Sequence, residues 1–118
     1  MELKDIKAVY FVGAGGIGMS ALARYFMSRG LVVAGYDKTP SALTHQLEKE
    51  GMVIHYDENT DEIPHACRDK ASCLVIYTPA IPATHKELCY FRENGFEIQK
   101  RAQVLGTLTR THKGLCVA

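Results

Sequence analysis

The stretch Val9-Tyr10-Phe11-Val12-Gly13-Ala14-Gly15-Gly16-Ile17-Gly18-Met19-Ser20 restricts the possible folds more than any other part of this chain. Four apolar residues run into a glycine turn, and an amphipathic stretch follows. Gly13, Gly15 and Gly18 fit G-x-G-x-x-G, with an extra glycine at Gly16. Each position answers a separate demand: a tight turn off the strand at Gly13, close approach of a phosphate to the backbone at Gly15, and close helix–sheet packing at Gly18. The start of the helix then presents unpaired N–H groups and the positive end of a dipole to an anion. A glycine-rich turn with only a packing role is the alternative. The strand before it and the helix after it supply the context that a nucleotide-diphosphate site needs.

The rest of the chain repeats the same strand–helix alternation. Residues 6–12 predict a first strand, apolar almost throughout, as in a parallel strand covered on both faces. Residues 16–29 predict the first helix, with Ala21, Leu22, Tyr25 and Phe26 inward and Arg24, Ser28 and Arg29 outward. Gly30 is expected to close it as a left-handed cap. A second strand over 31–36 ends at Asp37. That acid lies 19 positions after Gly18, near the offset of about 20 at which a carboxylate accepts bonds from ribose hydroxyls and disfavours a 2′-phosphate. A plain polar strand end is the other reading. Thr39 is a candidate N-cap and Pro40 a first helical residue for a second helix, with Leu43 and Leu47 inward and Gly51 at its end.

A short third strand covers 52–55. It leaves His55 and Asp57 at the carboxyl edge of the sheet, as ligand-side or merely polar loop residues. Residues 59–72 read as a turn and a short irregular helix. The fourth strand, 73–77, ends in the proline-stiffened loop Thr78-Pro79-Ala80-Ile81-Pro82. Thr84-His85-Lys86-Glu87 matches a capping box, with Leu88 and Phe91 inward on the helix after it and Gly95 stopping it. A fifth strand over 96–98 and a helical stretch over 101–110 follow. Residues 115–118 begin another apolar strand, which suggests a chain cut from something longer. The alternation predicts a Rossmann-like, doubly wound parallel α/β fold in one domain. The expected strand order is 3-2-1-4-5, with the ligand crevice between the tips of strands one and four.

Composition narrows the function. A chain of 118 residues with 47% apolar content can bury a core. A net charge of +1 and scattered Lys and Arg give no reason to invoke nucleic acid or a membrane surface. The charged start Met1-Glu2-Leu3-Lys4-Asp5 reads as no signal peptide, and no apolar run approaches a membrane span, so a cytoplasmic protein is expected. Cys67, Cys73, Cys89 and Cys116 form no C-x-x-C pair. Reduced thiols and no metal site are therefore expected. No catalytic constellation is evident, so no catalytic residue is proposed within these residues.

Four stretches in order resemble the amino-terminal domain of the Mur ligases: the glycine turn with Met19-Ser20, then Gly35-Tyr36-Asp37, then Tyr77-Thr78-Pro79-Ala80-Ile81-Pro82, then Arg101-Ala102-Gln103-Val104-Leu105-Gly106. The resemblance covers essentially the whole chain. It implies a domain that binds the UDP part of UDP-N-acetylmuramic acid, in a ligase of peptidoglycan precursor synthesis that adds L-alanine. In that family ATP and magnesium bind a central domain, and a third domain helps to hold the amino acid. Carried over residue by residue, Gly15, Gly16, Ile17, Gly18, Met19 and Ser20 match the diphosphate loop that Gly13 opens. Asp37, with Lys38 and Thr39 beside it, matches the acid next to the uridine, and His55 the histidine by the uracil. Thr78, Pro79, Ala80 and Ile81 match a loop usually written Ser-Ser-Ala-Ile, with one hydroxyl kept and one lost. Arg101 matches an arginine that could reach the sugar or the phosphates. The family's G-x-x-G-K-[ST]-type ATP loop has no counterpart in the sequence.

The resemblance thus divides the chain into a UDP-sugar domain over 1–113 and, over 114–118, the stub of a strand leading to the ATP-binding domain. UDP-N-acetylmuramate and the intact chain's own central and carboxy-terminal domains are the expected partners. An NAD-binding domain of an oxidoreductase or a regulatory module is the competing reading, since the glycine loop and Asp37 alone fit both.

Overall fold

The computed structural model describes residues 6–14, 18–78, 81–82 and 84–100. Five parallel strands are arranged around the first of them: β1 (Ala8–Val12), β2 (Val32–Tyr36), β3 (Val53–His55), β4 (Cys73–Tyr77) and β5 (Glu97–Lys100), in the order β3-β2-β1-β4-β5. The order expected from the sequence is the order observed. Helices α1 (Met19–Ser28), α2 (Ala42–Lys49) and α3 (Lys86–Glu93) make the crossovers, with short 3-10 turns at Thr60–Glu62 and His65–Arg68.

The pleat of β1 sorts the core into two. Val9 and Phe11 face one side with Val33, Leu74 and Ile76, against Met19, Leu22, Phe26 and Leu47 of α1 and α2. Ala8, Tyr10 and Val12 face the other side with Ala34, Tyr36, Cys73 and Val75, against Cys67, Phe91 and Phe96. Because both faces are covered, β1 has to be apolar at every position. Each fully buried large side chain contributes about 1.5–3 kcal/mol.

All three helices end alike, which explains the expected stops at Gly30, Gly51 and Gly95. The glycine N–H bonds back to the second-last helical carbonyl, and the next residue's N–H to the third-last. The pairs are Gly30 to Met27 and Leu31 to Phe26, Gly51 to Glu48 and Met52 to Leu47, and Gly95 to Arg92 and Phe96 to Phe91. This double bond needs a residue at positive φ, and an apolar residue follows each glycine to pack back on the helix. Each helix therefore delivers the chain straight into, or one residue short of, the next strand.

Several boundaries shift. α1 starts at Met19, because Gly18 at φ 84° cannot lie inside a right-handed helix. Its buried stripe is Met19, Leu22, Ala23 and Phe26, spaced 0, 3, 4 and 7; Ala21 is exposed and Tyr25 half-buried. Thr39 does not cap α2 and Pro40 is not in it. Ser41 is the cap: its hydroxyl accepts from the Thr44 amide at 3.2 Å, and Thr44 Oγ1 accepts from the Ser41 amide at 2.8 Å. The Thr39 amide is committed to Asp37 instead. β5 starts one residue late because the Phe96 amide belongs to the cap of α3. The expected capping box at Thr84 is absent: His85 is the cap, and Glu87 turns into the interior. Among the described residues Cys67, Cys73 and Cys89 are in no disulfide. A hydrogen bond to Cys67 and burial push the Cys73 thiol up, so it stays protonated. Cys116, the expected helix over 101–110 and the strand over 115–118 lie outside the described residues.

Candidate functional site

The carboxyl edge of the sheet gathers the tips of β1, β2, β3 and β4. After β1 the chain turns at Gly13, whose φ of 100° is closed to ordinary side chains. The amides of Gly13 and Ala14 both donate to the Tyr36 carbonyl, each at 2.8 Å. The glycine turn is thus moored to the end of β2. On its other side Gly13 lies against β4: a Cβ there would sit 3.1 Å from Thr78 Oγ1 and 3.5 Å from Ile81 Cγ1. Thr78 and Ile81 are both half-buried, and the Ile81 amide donates to the Thr78 carbonyl at 3.1 Å. The turn, the tip of β2 and the tip of β4 therefore adjoin, as the crevice argument requires.

Gly18 provides the lead into α1. No side chain caps that helix and no acidic residue lies in its first turn, so its dipole end is left uncompensated by the described side chains. Ser20 is half-buried, but Met19 is fully buried in the core, so only its backbone can serve a ligand. Gly15, Gly16, Ile17, Pro79, Ala80 and Arg101 lie outside the described residues.

At the next tip, the Asp37 amide donates to the His55 carbonyl at 3.1 Å, which fastens β2 to β3 where both end. Asp37 Oδ1 accepts the Thr39 amide at 3.0 Å, a local turn that holds the carboxylate. Lys38 and Thr39 are exposed. The Tyr36 ring lies beneath this edge, 5.9 Å from the His55 ring and 4.6 Å, edge-on, from that of His85. Burial raises the Tyr36 hydroxyl pKa, and the carboxylates of Glu58, Glu87, Asp37 and Asp57 raise it further. This corner is electronegative, which suits neutral hydroxyl and amide donors better than a phosphate.

His55 does not hang free in the crevice. Its Nε2 lies 2.7 Å from Glu87 Oε2 and 3.1 Å from the Tyr10 hydroxyl. Tyr10 donates to Glu87 Oε1, and the Asn59 amide donates to Glu87 Oε2 at 3.1 Å. Burial, then the Glu87 charge, pushes the Tyr10 hydroxyl far up, so it remains a donor. This cluster was not foreseen from the sequence. The available signal was Tyr10 itself, since a tyrosine in the middle of a doubly covered strand needs a partner for its hydroxyl.

Among the described residues no group of three or more His, Cys, Asp or Glu could hold a metal ion, and no helix is long and apolar enough to cross a membrane.

Comparison with known proteins agrees with this geometry. Residues 8–113 match the Mur ligase family, catalytic domain. The UDP-N-acetylmuramate–L-alanine ligase of Phocaeicola vulgatus is 64% identical over all 118 residues, and that of Parabacteroides distasonis 58%. In both cases the chain spans about a quarter of the relative's length, 26%. Among solved structures, the UDP-N-acetylmuramate–alanine ligase of Thermotoga maritima superposes with a TM-score of 0.78 at 33% identity, over 90% of this chain and 24% of that one. A five-stranded parallel sheet with a glycine turn after its first strand, matched to the family model over residues 8–113, leaves one assignment: the chain belongs to the Mur ligase family.

Proposed function

We propose that this chain is the part of an ATP-dependent, cytoplasmic ligase that holds UDP-N-acetylmuramic acid while L-alanine is joined to it. The observation that carries the reading is the Gly13 turn. It is tied by two amides to the tip of β2, pressed against Thr78 at the tip of β4, and leads into an α1 that no side chain caps. A diphosphate suits the place to which this turn leads, because the first N–H groups of α1 and the positive end of its dipole are claimed by no side chain. Asp37, with Lys38 and Thr39, would face the nucleoside, and Gly15, Gly16, Ile17, Gly18, Met19 and Ser20 would supply the diphosphate loop. Thr78, Pro79, Ala80, Ile81 and Arg101 would close the opposite side. His55 would contribute through its backbone and by shaping the corner, since its ring is engaged inside.

The residues of this chain do not fit an ATP–magnesium site. No G-x-x-x-x-G-K-[ST] loop occurs in the sequence, so it has no lysine-bearing loop of the kind that reaches the β- and γ-phosphates of ATP and positions magnesium. The chain therefore binds and does not catalyse; ATP, magnesium and L-alanine would be handled by other domains of the intact enzyme. The dinucleotide alternative is not favoured, since the relatives are named as ligases.

Thermal denaturation with added ligands tests this. UDP-N-acetylmuramate at a hundred times its Kd should stabilise by about 2.7 kcal/mol, roughly 10–20 °C for a domain of this size. ATP with magnesium should give little protection, and a mixture containing L-alanine should release no phosphate. A larger shift with NAD than with the sugar nucleotide, or L-alanine-dependent phosphate release by this chain, would overturn the reading.

A further inference from the structure

We infer that Glu87 is a positioning residue for the nucleoside end of the site; the inference rests on the reading just proposed. β3 is an edge strand of three residues, paired on one side only, with Val53 54% exposed and His55 and Ile54 half-buried. Apolar burial alone holds such a strand weakly. Glu87, near the start of α3, reaches it from the opposite end of the sheet order. Its carboxylate is fully buried and accepts from Tyr10 at the centre of β1, from His55 Nε2 at the tip of β3, and from the amide of Asn59 beyond it. The His55 carbonyl in turn takes the Asp37 amide. One buried carboxylate thus fixes the tip of β3, the loop after it and, one hydrogen bond further, the backbone of the acid that would face the nucleoside.

The linkage is specific in direction. The bonds described for Glu87 end at Tyr10, His55 and Asn59, whereas the glycine turn is held by its own two amides to the Tyr36 carbonyl, on the far side of the Tyr36–Asp37 peptide from the His55 bond. Loss of the carboxylate should loosen the Asp37 corner more than the glycine turn, whose two amide bonds to the Tyr36 carbonyl remain. Glutamine at 87 has nearly the same shape but a single acceptor oxygen, so it cannot accept from Tyr10 on one side and from His55 and Asn59 on the other.

The test is Glu87→Gln, with Tyr10→Phe as the companion variant, followed by amide NMR, hydrogen exchange and titration with UDP. Without ligand, the Asp37 and Asn59 amides should exchange faster in Glu87→Gln, while the amides of β1 and β4 stay protected. UDP affinity should fall by about tenfold. At saturating UDP, Gly13 and Gly18 should show shift changes as in the unaltered protein, while the changes at Asp37 and His55 are lost. Tyr10→Phe removes the Tyr10 bonds to Glu87 and to His55 Nε2 but leaves the bonds of Glu87 to His55 and Asn59 in place; it should lower thermal stability with UDP affinity changed less than twofold.

Unaltered UDP affinity in Glu87→Gln, or equal loss of the responses at Gly13 and Asp37, would overturn the inference. If Glu87→Gln does not fold, Glu87→Asp, whose shorter reach also breaks the Asn59 bond, is put to the same readouts. Should the unaltered protein not bind UDP at all, the reading of the site fails. The exchange comparison then still decides whether Glu87 anchors Asp37.

Discussion

Gly13→Ala separates what the turn does for the fold from what it does for a ligand. Alanine at φ 100° carries strain of about 1–3 kcal/mol. The new Cβ would also lie 3.1 Å from Thr78 Oγ1, so the Thr78 side chain must give by a few tenths of an ångström. Thr78 is half-buried and can rotate, which keeps this second cost to about 1 kcal/mol, the low end for over-packing. The sum, about 2–4 kcal/mol, lowers the midpoint of thermal unfolding by roughly 10–25 °C in a domain of this size. Gly30→Ala is the control: φ is 80° and nothing lies within 4 Å of its Cβ, so only the strain is paid. Adding Thr78→Ala to each variant completes the comparison. It should recover about 1 kcal/mol beside Gly13→Ala and nothing beside Gly30→Ala. Equal losses at the two glycines, with no recovery from Thr78→Ala, would refute the claim that Gly13 is kept bare by the tip of β4. UDP binding should fall with Gly13→Ala and stay unchanged with Gly30→Ala.

Gly35→Ala tests the sheet itself. Its Cβ would meet the Phe11 carbonyl oxygen at 2.7 Å and Met52 Cε at 3.0 Å. Because the nearer atom is backbone, a loss of about 3 kcal/mol or more is expected in urea unfolding, and an unchanged midpoint would contradict it. Asp37→Ala should weaken UDP binding by about 1.5–3 kcal/mol in calorimetry if the carboxylate reads the nucleoside. Stability should drop by no more than about 1 kcal/mol, for the lost Thr39 bond; equal weakening of pyrophosphate binding would instead make Asp37 a shaper of the glycine loop. Gly18→Val should cost about 1–3 kcal/mol from positive φ alone and should abolish UDP binding; a variant that melts and binds like the unaltered protein would remove Gly18 from the site.

What could be read from the sequence is what the backbone decides locally. Apolar strands alternating with glycine-stopped helices pointed to the doubly wound sheet and its strand order, and the glycine turn marked the edge where β1, β2 and β4 end together. Helix starts were read less well, because two capping arrangements competed within a few residues and side-chain geometry chose between them. Ser41 won over Thr39 through its reciprocal bonds with Thr44.

The polar cluster at Tyr10 shows where such reading fails and how it could be extended. The Thr84-to-Glu87 capping pattern assigns the Glu87 carboxylate a local bond, which hides its need for a distant one. Yet periodicity puts Leu88 and Phe91 on the inward face of the helix, and Glu87 stands one turn before Phe91, at the i, i+4 spacing that puts two side chains on one stripe. An inward carboxylate needs partners, and a tyrosine in the middle of a doubly covered strand needs one too. Each requirement was visible alone. That Tyr10 and Glu87 answer one another follows only from topology, because β1 and β4 are adjacent and α3 crosses the face to which Tyr10 points. Two polar groups in need of partners, each placed inward by periodicity and brought to one face by the strand order, are therefore evidence for their mutual contact.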